Sequence, residues 1–364
     1  MDFLKHRLDE REALQALRKL KLANAHIDFS SNDYLGLGRN IAAVSETPKG
    51  SGGSRLLYGN SDEAENLEAW LAEAFDVEAA LVFNSGYAAN LGFFSSVPQK
   101  NDIILYDEFI HASVRDGIRL SLAKSYSFRH NSIDSLCEKA NRQNGRIFVA
   151  VESVYSMDGD CAPLTELNAR CAENGWLLVV DEAHALGVYG PKGRGCVAEL
   201  SDTSGVFARV LTFGKAAGFH GAAVLGSTIL KDYLINFSRA FIYSTALPSG
   251  DYQTMHRQLQ RMLDADVERE KLKSRITEWK QLIGQVFKTQ DGPIQIVPAK
   301  SNAHADALAK HLNDAGFDVR AIKHPTVAAG SERLRIILHA INSEDEVKEL
   351  TASIRELCVT LGRK

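Results

Sequence analysis

The sequence predicts an α/β chain: a large domain on a mainly parallel sheet, followed by a small α+β C-terminal domain. Three observations carry this. Between about residue 60 and residue 230, short apolar runs alternate with longer amphipathic stretches, the pattern of βαβ units. Several of those runs are too uniformly apolar to have a wetted face, so helices must cover the sheet on both sides. Beyond residue 230 the order changes to long helical stretches separated by short strands. A chain of 364 residues also exceeds what one hydrophobic core usually serves. The expected division is an N-terminal helix and short segment (1–45), a large domain (46–250), and a long linking helix with the small domain (251–364).

The strands of the large domain read as "AALVF" (79–83), "DIILY" (102–106), "SYSF" (125–128), "RIFVAVE" (146–152), "WLLVVDE" (176–182), "RVLTF" (209–213) and "GAAVLG" (221–226). Helices fill the gaps: "NLEAWLAEAF" after the cap-like "NSDE", "YAANLGFF" after Ser85, and "APLTELNARCAEN" with Pro163 near its first turn. One amphipathic stretch runs from about Gly250 to Phe287. After it come "PIQIV", a helix near 302–315, "FDVRAI", "RLRIIL" and a closing helix from Ser343.

Composition narrows the function classes. The net charge is −4, so there is no electrostatic footprint for nucleic acid or an anionic membrane, and a small-molecule partner is expected. The five cysteines form no C-x-x-C pair, which argues against a zinc site or disulfide framework and fits a reducing cytoplasm; no metal ligands are expected. The charged N-terminus lacks the apolar stretch of a signal peptide, and no run approaches the ~20 apolar residues of a membrane span.

In an open parallel sheet, ligands bind at the carboxyl edge of the strands, where helix N-termini and loop amides converge. Five polar clusters fall there: Ser85-Gly86-Tyr87, Asp107 to His111, Ser156, Asp181 to His184, and Lys215. Lys215 lies in "VLTFGKAAGFHGAAVLGS", where it is the one formally charged side chain. A phosphate-binding loop would need a glycine at Arg209 and a hydroxyl at Ala216, so that reading fails. A lysine in apolar surroundings becomes a nucleophilic amine, as a Schiff base with an aldehyde cofactor requires. Pyridoxal phosphate is that cofactor, and its ring nitrogen needs an acid such as Asp181, 34 positions earlier.

Alone, Lys215 is more readily an exposed loop lysine, and Asp181 more often a helix cap or ion-pair partner. Their placement on one edge changes that balance. "NSGYAAN" would supply amides and a hydroxyl to a phosphate, as would Thr212 and Ser244-Thr245. His111 and His184 would cover the ring or donate to its oxygen, against the blander reading of structural histidines. Ser156 is a candidate ring neighbour or a turn residue before Asp158-Gly159.

Taken together the motifs resemble the α-oxoamine synthases, pyridoxal-phosphate enzymes of fold type I. The resemblance spans nearly the whole chain, through "FSSNDYLGLG" (29–38), "GSGGSRLLYGN" (50–60), "NSGYAAN" (84–90), "HAS" (111–113), "SMDGD" (156–160), "DEAHALGVYGPKGRG" (181–195), "TFGKAAGFHGAAVLGS" (212–227), "FIYSTALP" (241–248) and "HPTVAAGSERLRIIL" (324–338). It implies an aminotransferase-like large domain and a cytoplasmic homodimer. By resemblance, Lys215 is the Schiff-base lysine, Asp181 the partner of the pyridinium nitrogen, His184 and Ser156 contacts to the ring oxygen, and His111 the ring stacked over the cofactor. Ser85, Gly86, Tyr87 and Thr212 match cofactor-binding positions, with Thr245 reaching the phosphate of the neighbouring subunit. Arg18, Asn32, Thr326 and Arg335 match substrate contacts, together with His111, Arg335 being the carboxylate clamp.

The motifs are most similar to those of members that condense L-alanine with a pimeloyl thioester in biotin synthesis. Use of glycine or serine with another acyl donor is the alternative. A non-catalytic scaffold is a third, which the intact Lys215 and Asp181 oppose. The chain departs from the family in its short N-terminal region, in the abbreviated stretch before "GSGGS", and in Lys323, Phe219 and His220.

Overall fold

The computed structural model describes residues 2–18, 25–39, 41 and 50–362. The short connection after Arg18 and the stretch before "GSGGS" lie largely outside them. Contacts divide the chain into two units: Met1–Tyr34 with Met157–Asp160 and Val267–Lys364, and Leu35–Ser156 with Cys161–Asp266.

The second, larger unit holds a seven-stranded sheet. Its strands are β1 (Ala79–Phe83), β2 (Ile103–Asp107), β3 (Lys124–Phe128), β4 (Ile147–Glu152), β5 (Leu177–Asp181), β6 (Val206–Thr212) and β7 (Ala222–Gly226). They lie in the order β1-β7-β6-β5-β4-β2-β3. All the apolar runs are strands, and β6 starts earlier than its run suggests, at Val206. From β3 to β6 the pairing is parallel, whereas β7 runs antiparallel to both its neighbours. The reason is loop length: 213–221 is too short for a parallel crossover, which needs a dozen or more residues.

The sheet is buried on both faces, as the uniform apolar runs require. Along β4, Phe148 and Ala150 join one core with Phe83, Phe93 and Val179. Val149 and Val151 join the other with Leu105, Leu136 and Val180. Helix Gly86–Ser96 starts after β1 with Ser85 as its cap, and helix Ala112–Leu120 starts after β2 with His111 as its cap. Ser61 caps helix Asp62–Ala74, and helix Leu164–Asn174 begins directly after Pro163.

The amphipathic stretch expected from Gly250 to Phe287 is two helices, Ser249–Leu263 and Asp266–Ile283. At the break Asp264 adopts φ −88, ψ 0, and the Asp266 N–H turns back to the Asp264 carbonyl.

The smaller unit has an antiparallel sheet in the order Arg320–Ile322, Arg333–Ile337, Ile294–Pro298. A two-stranded parallel sheet joins Ile27–Asp28 to Phe317–Asp318. Helices Asp2–Ala13, Asn302–Asp314 and Glu344–Gly362 belong to this unit. Among the described residues, no helix is long and apolar enough to cross a membrane.

Candidate cofactor and catalytic site

At the carboxyl edge of the large sheet, β5 ends in Asp181 and Glu182 follows it, and the two face different surroundings. Glu182 is fully buried; its Oε2 accepts from Arg209 Nε at 2.6 Å and its Oε1 from the Val197 N–H at 3.0 Å. That pair pins the strand end. Asp181 is left to the site: Oδ2 accepts from Asn90 Nδ2 at 2.7 Å and Oδ1 from the Ala183 N–H at 2.9 Å. Each oxygen keeps a further lone pair for a ligand.

Lys215 sits in the short loop after β6. The Gly218 N–H donates to the Lys215 carbonyl at 2.8 Å, and Phe213 closes the loop on the Gly221 carbonyl at 2.9 Å. Gly218 has φ +70, and a Cβ there would overlap the backbone of Leu37 and Gly38, so the loop needs glycine at that point. Lys215 Nζ lies 2.9 Å from Nε2 of the buried His184. Gly214 beside it is open, with nothing within 4 Å of an added Cβ.

The Ser85 hydroxyl caps the following helix by accepting from the Ala88 N–H at 3.1 Å. The first-turn amides of Gly86 and Tyr87 have no intrahelical acceptor and form the anion-binding end of the helix. Gly86 is packed so closely on Thr212 that any Cβ would overlap the threonine methyl. Thr212 Oγ1 lies 3.5 Å from the Ala183 carbonyl. Tyr87 is half-exposed, and its hydroxyl donates to Asp116 at 2.6 Å, which pushes the phenol's pKa above its ordinary value. Ser156 is partly buried after β4, and Thr245 is exposed, its carbonyl accepting from Asn84 Nδ2 at 2.8 Å.

His111 turns Nδ1 into the buried Ser113, accepting from its N–H at 3.2 Å, with the hydroxyl 2.7 Å away. As a whole the residue is exposed. Desolvation of the ring holds its pKa below the usual histidine value; the Lys215 charge adds to this and the Asp181 and Asp116 charges oppose it. His220 is exposed.

Sequence reasoning missed three residues at this edge. Asn90 links Asp181 to Ser113, donating to Ser113 Oγ at 3.0 Å. Glu152 ends β4 directly beside Asp181 in register and is buried, with Oε1 lacking a partner. Burial and then the Asp181 charge push its pKa up to about 8, partly offset by Lys215 and by the main-chain N–H groups of Ser156 and His111. Asn90 and Ser113 lie inside the quoted motifs and Glu152 at the end of the run 146–152, but only Glu152 had a visible signal, an acid closing an apolar strand.

The smaller unit brings together the other predicted residues in two pairs. Buried Arg335 donates from Nη2 to Asn32 Oδ1 at 3.0 Å, and Arg18 Nη2 lies 3.5 Å from Thr326 Oγ1. A cavity of about 820 Å³ in this unit is lined by Arg11, Arg18, Lys310, Arg320, Lys323 and Thr326, among others. Lys323 is committed to Asp306 at 2.7 Å and to the Gln15 carbonyl. Among the described residues no group of three or more histidines, cysteines or carboxylates is placed to hold a metal.

The family model "Aminotransferase class I and II" matches residues 24–354. The 8-amino-7-oxononanoate synthase of Emericella nidulans is 40% identical, over 97% of this chain and 94% of that protein. The protein of the same name from Aliivibrio fischeri is 36% identical, over 92% and 89%. In structure, serine palmitoyltransferase of Sphingomonas wittichii superposes with TM-score 0.91 at 29% identity, covering 99% of this chain and 98% of its own. The 8-amino-7-oxononanoate synthase of Francisella tularensis gives 0.78 at 30%, covering 93% and 100%. The chain belongs to the aminotransferase class I and II family. Within it, these relatives place it among the α-oxoamine synthases.

Proposed function

We propose that the protein condenses L-alanine with a pimeloyl thioester, giving 8-amino-7-oxononanoate, carbon dioxide and free thiol, with pyridoxal 5′-phosphate as cofactor. The observation that carries this reading is the convergence of Lys215, His184 and Asp181 on one sheet edge, in a chain 40% identical over nearly its full length to a protein named for that product.

The residues present fit the cofactor. The Ser85-capped helix end and the Gly86–Thr212 contact form a small cradle for a phosphate, which a Cβ at Gly86 would fill. Asp181 offers a carboxylate whose remaining lone pairs suit a protonated ring nitrogen, and Gly214 leaves space beside Lys215. Ser156, Tyr87 and Thr245 complete the proposed contacts, Thr245 toward the partner subunit. When bound, pyridoxal phosphate supplies an electron sink for negative charge developing at the amino acid's α-carbon.

Lys215 is the proposed covalent anchor and, once displaced by the amino acid, the base that takes the α-proton; His184 at 2.9 Å holds or returns a proton at Nζ. The α-carbon then bonds to the acyl carbon as the carbon–sulfur bond breaks and the thiolate leaves to take up a proton; the carboxyl carbon departs as carbon dioxide, and a proton returned from Lys215 takes its place on the α-carbon. His111 covers the ring and donates toward substrate. Arg335, oriented by Asn32, clamps the amino-acid carboxylate, while Arg18 and Thr326 contact substrate.

The structural likeness to serine palmitoyltransferase keeps one second reading: serine or glycine with another acyl thioester. The test is thiol release from purified protein across a panel of amino acids and acyl thioesters. Alanine with the pimeloyl thioester should give the highest kcat/KM; release with serine or glycine but not alanine refutes the assignment.

Homodimerisation is part of the proposal. The large unit exposes Leu57 (86%), Tyr58 (80%) and Tyr243 (70%), apolar surface that a second copy would cover. Sedimentation should give a species of twice the chain mass, and a monomer at assay concentration refutes it. Free thiols at Cys137, Cys171 and Cys196 support a cytoplasmic location.

A further inference from the structure

We propose that Asn90 and Ser113 are positioning residues that link Asp181 to His111 and hold the His111 imidazole neutral, with its proton on Nε2. The inference rests on the cofactor-site reading above for its functional meaning. Its geometry stands apart from that reading, in four side chains of the large unit.

The argument runs from fixed donors to the variable ones. A main-chain N–H can only donate, so the Ser113 N–H, 3.2 Å from His111 Nδ1, requires a lone pair on that nitrogen. The orientation of Asn90 is fixed separately. Its Nδ2 lies 2.7 Å from an Asp181 oxygen; with the amide reversed, carbonyl and carboxylate oxygens would face each other at that distance. Its Oδ1 is buried without a partner, a cost that this contact outweighs. Because Asn90 Nδ2 also donates to Ser113 Oγ at 3.0 Å, the hydroxyl proton is free to point at Nδ1, 2.7 Å away.

Two donors therefore converge on Nδ1, and both a protonated ring and the Nδ1–H tautomer would bring hydrogens together. Nε2 alone remains as a donor of the His111 ring. The charged and titratable groups acting on the ring are Asp181, Lys215 and Asp116. Glu152 also acts on this loop, its carboxyl interacting with the His111 main-chain N–H. The relay gives His111 a defined task in acyl transfer: a neutral N–H donor to an oxygen of the substrate rather than a proton acceptor.

The test uses holoenzyme labelled with nitrogen-15 at histidine, with His111→Gln to assign the signal. The expected spectrum shows one N–H for His111, at Nε2, across neutral pH. A proton at Nδ1, or a doubly protonated ring at pH 7, overturns the proposal. In kinetics, Ser113→Ala removes the hydroxyl but keeps the amide donor. It should move the acidic limb of the kcat/KM profile upward by roughly 0.5–1 pH unit, the size of one lost hydrogen bond. Ser113→Thr should restore the limb, and an unshifted limb in Ser113→Ala overturns the proposal. The spectrum needs no substrate, so a protein inactive on every thioester would sink the assigned reaction and leave this test readable.

Discussion

Glu152→Gln is the sharpest perturbation of the large unit, because it replaces a buried acid by a neutral group of the same shape. The native carboxyl titrates at about 8 against an ordinary value of 4.5, raised by burial and then by the Asp181 charge. For an acid whose pKa is raised on folding, the native state holds more protons than the unfolded chain between those two values. Stability is therefore highest below the unfolded value and falls as pH rises, until the native carboxyl also ionises near pH 8. At pH 7, which lies 2.5 pH units above the ordinary value of 4.5, the native state has lost about 3 kcal/mol, of which roughly 2 kcal/mol develops between pH 5 and pH 7. Glutamine does not titrate. Urea unfolding of cofactor-free wild type and variant at several pH values should show the variant gaining about 2 kcal/mol relative to wild type across that interval. Adding Asp181→Asn to both proteins should flatten the trend by removing the second-largest cause. A stability difference independent of pH would refute the argument, since it would mean that Glu152 is equally ionised in the folded and unfolded chains.

Three further outcomes test the site. Lys215→Ala should abolish thiol release while leaving the melting temperature nearly unchanged; full activity in that variant rules out the lysine as the covalent anchor. Gly86→Ala should weaken pyridoxal phosphate binding about tenfold, because the new methyl overlaps the Thr212 methyl. The double variant Gly86→Ala/Thr212→Ser removes the obstructing atom and should recover most of the affinity in a fluorescence titration; equal weakness in both variants refutes the steric account. Arg335→Lys keeps the charge but loses the planar fork that Asn32 orients, so KM for the amino acid should rise roughly tenfold; an unchanged KM removes Arg335 from the carboxylate site.

Much of the large unit was legible because its signals are local. An unbroken apolar run such as "FVAV" can only be a strand with helices on both sides, and a serine before a helical stretch, as at Ser85, is a cap wherever it occurs. The antiparallel placement of β7 was also within reach, since 213–221 is too short for a crossover. The break at Asp264 was not, because the apolar period continues through "MLDADVERE" with no glycine or proline to mark it. At the site, the acid and lysine were legible as types in apolar settings at strand ends. Asn90 and Ser113 were not, because their roles depend on a contact to Asp181, 91 positions from Asn90, that no local pattern encodes.

Glu152 and Asp181 show most clearly where sequence stops and structure begins. Each is a carboxylic acid closing an apolar strand, and the two strands are neighbours with these residues in register. As strand-closing acids the two look alike. The difference lies in what other loops bring. Asp181 receives donors from Asn90 and the Ala183 amide, which suit a carboxylate acting as acceptor. Glu152 has an oxygen without a partner and a charge beside it, which favour its protonated form. Under the proposed function, one acid is thereby prepared to face a cationic ring nitrogen and the other kept from competing with it, so the charge on this sheet edge is decided by Asn90 and the loop amides as much as by the carboxyl groups themselves.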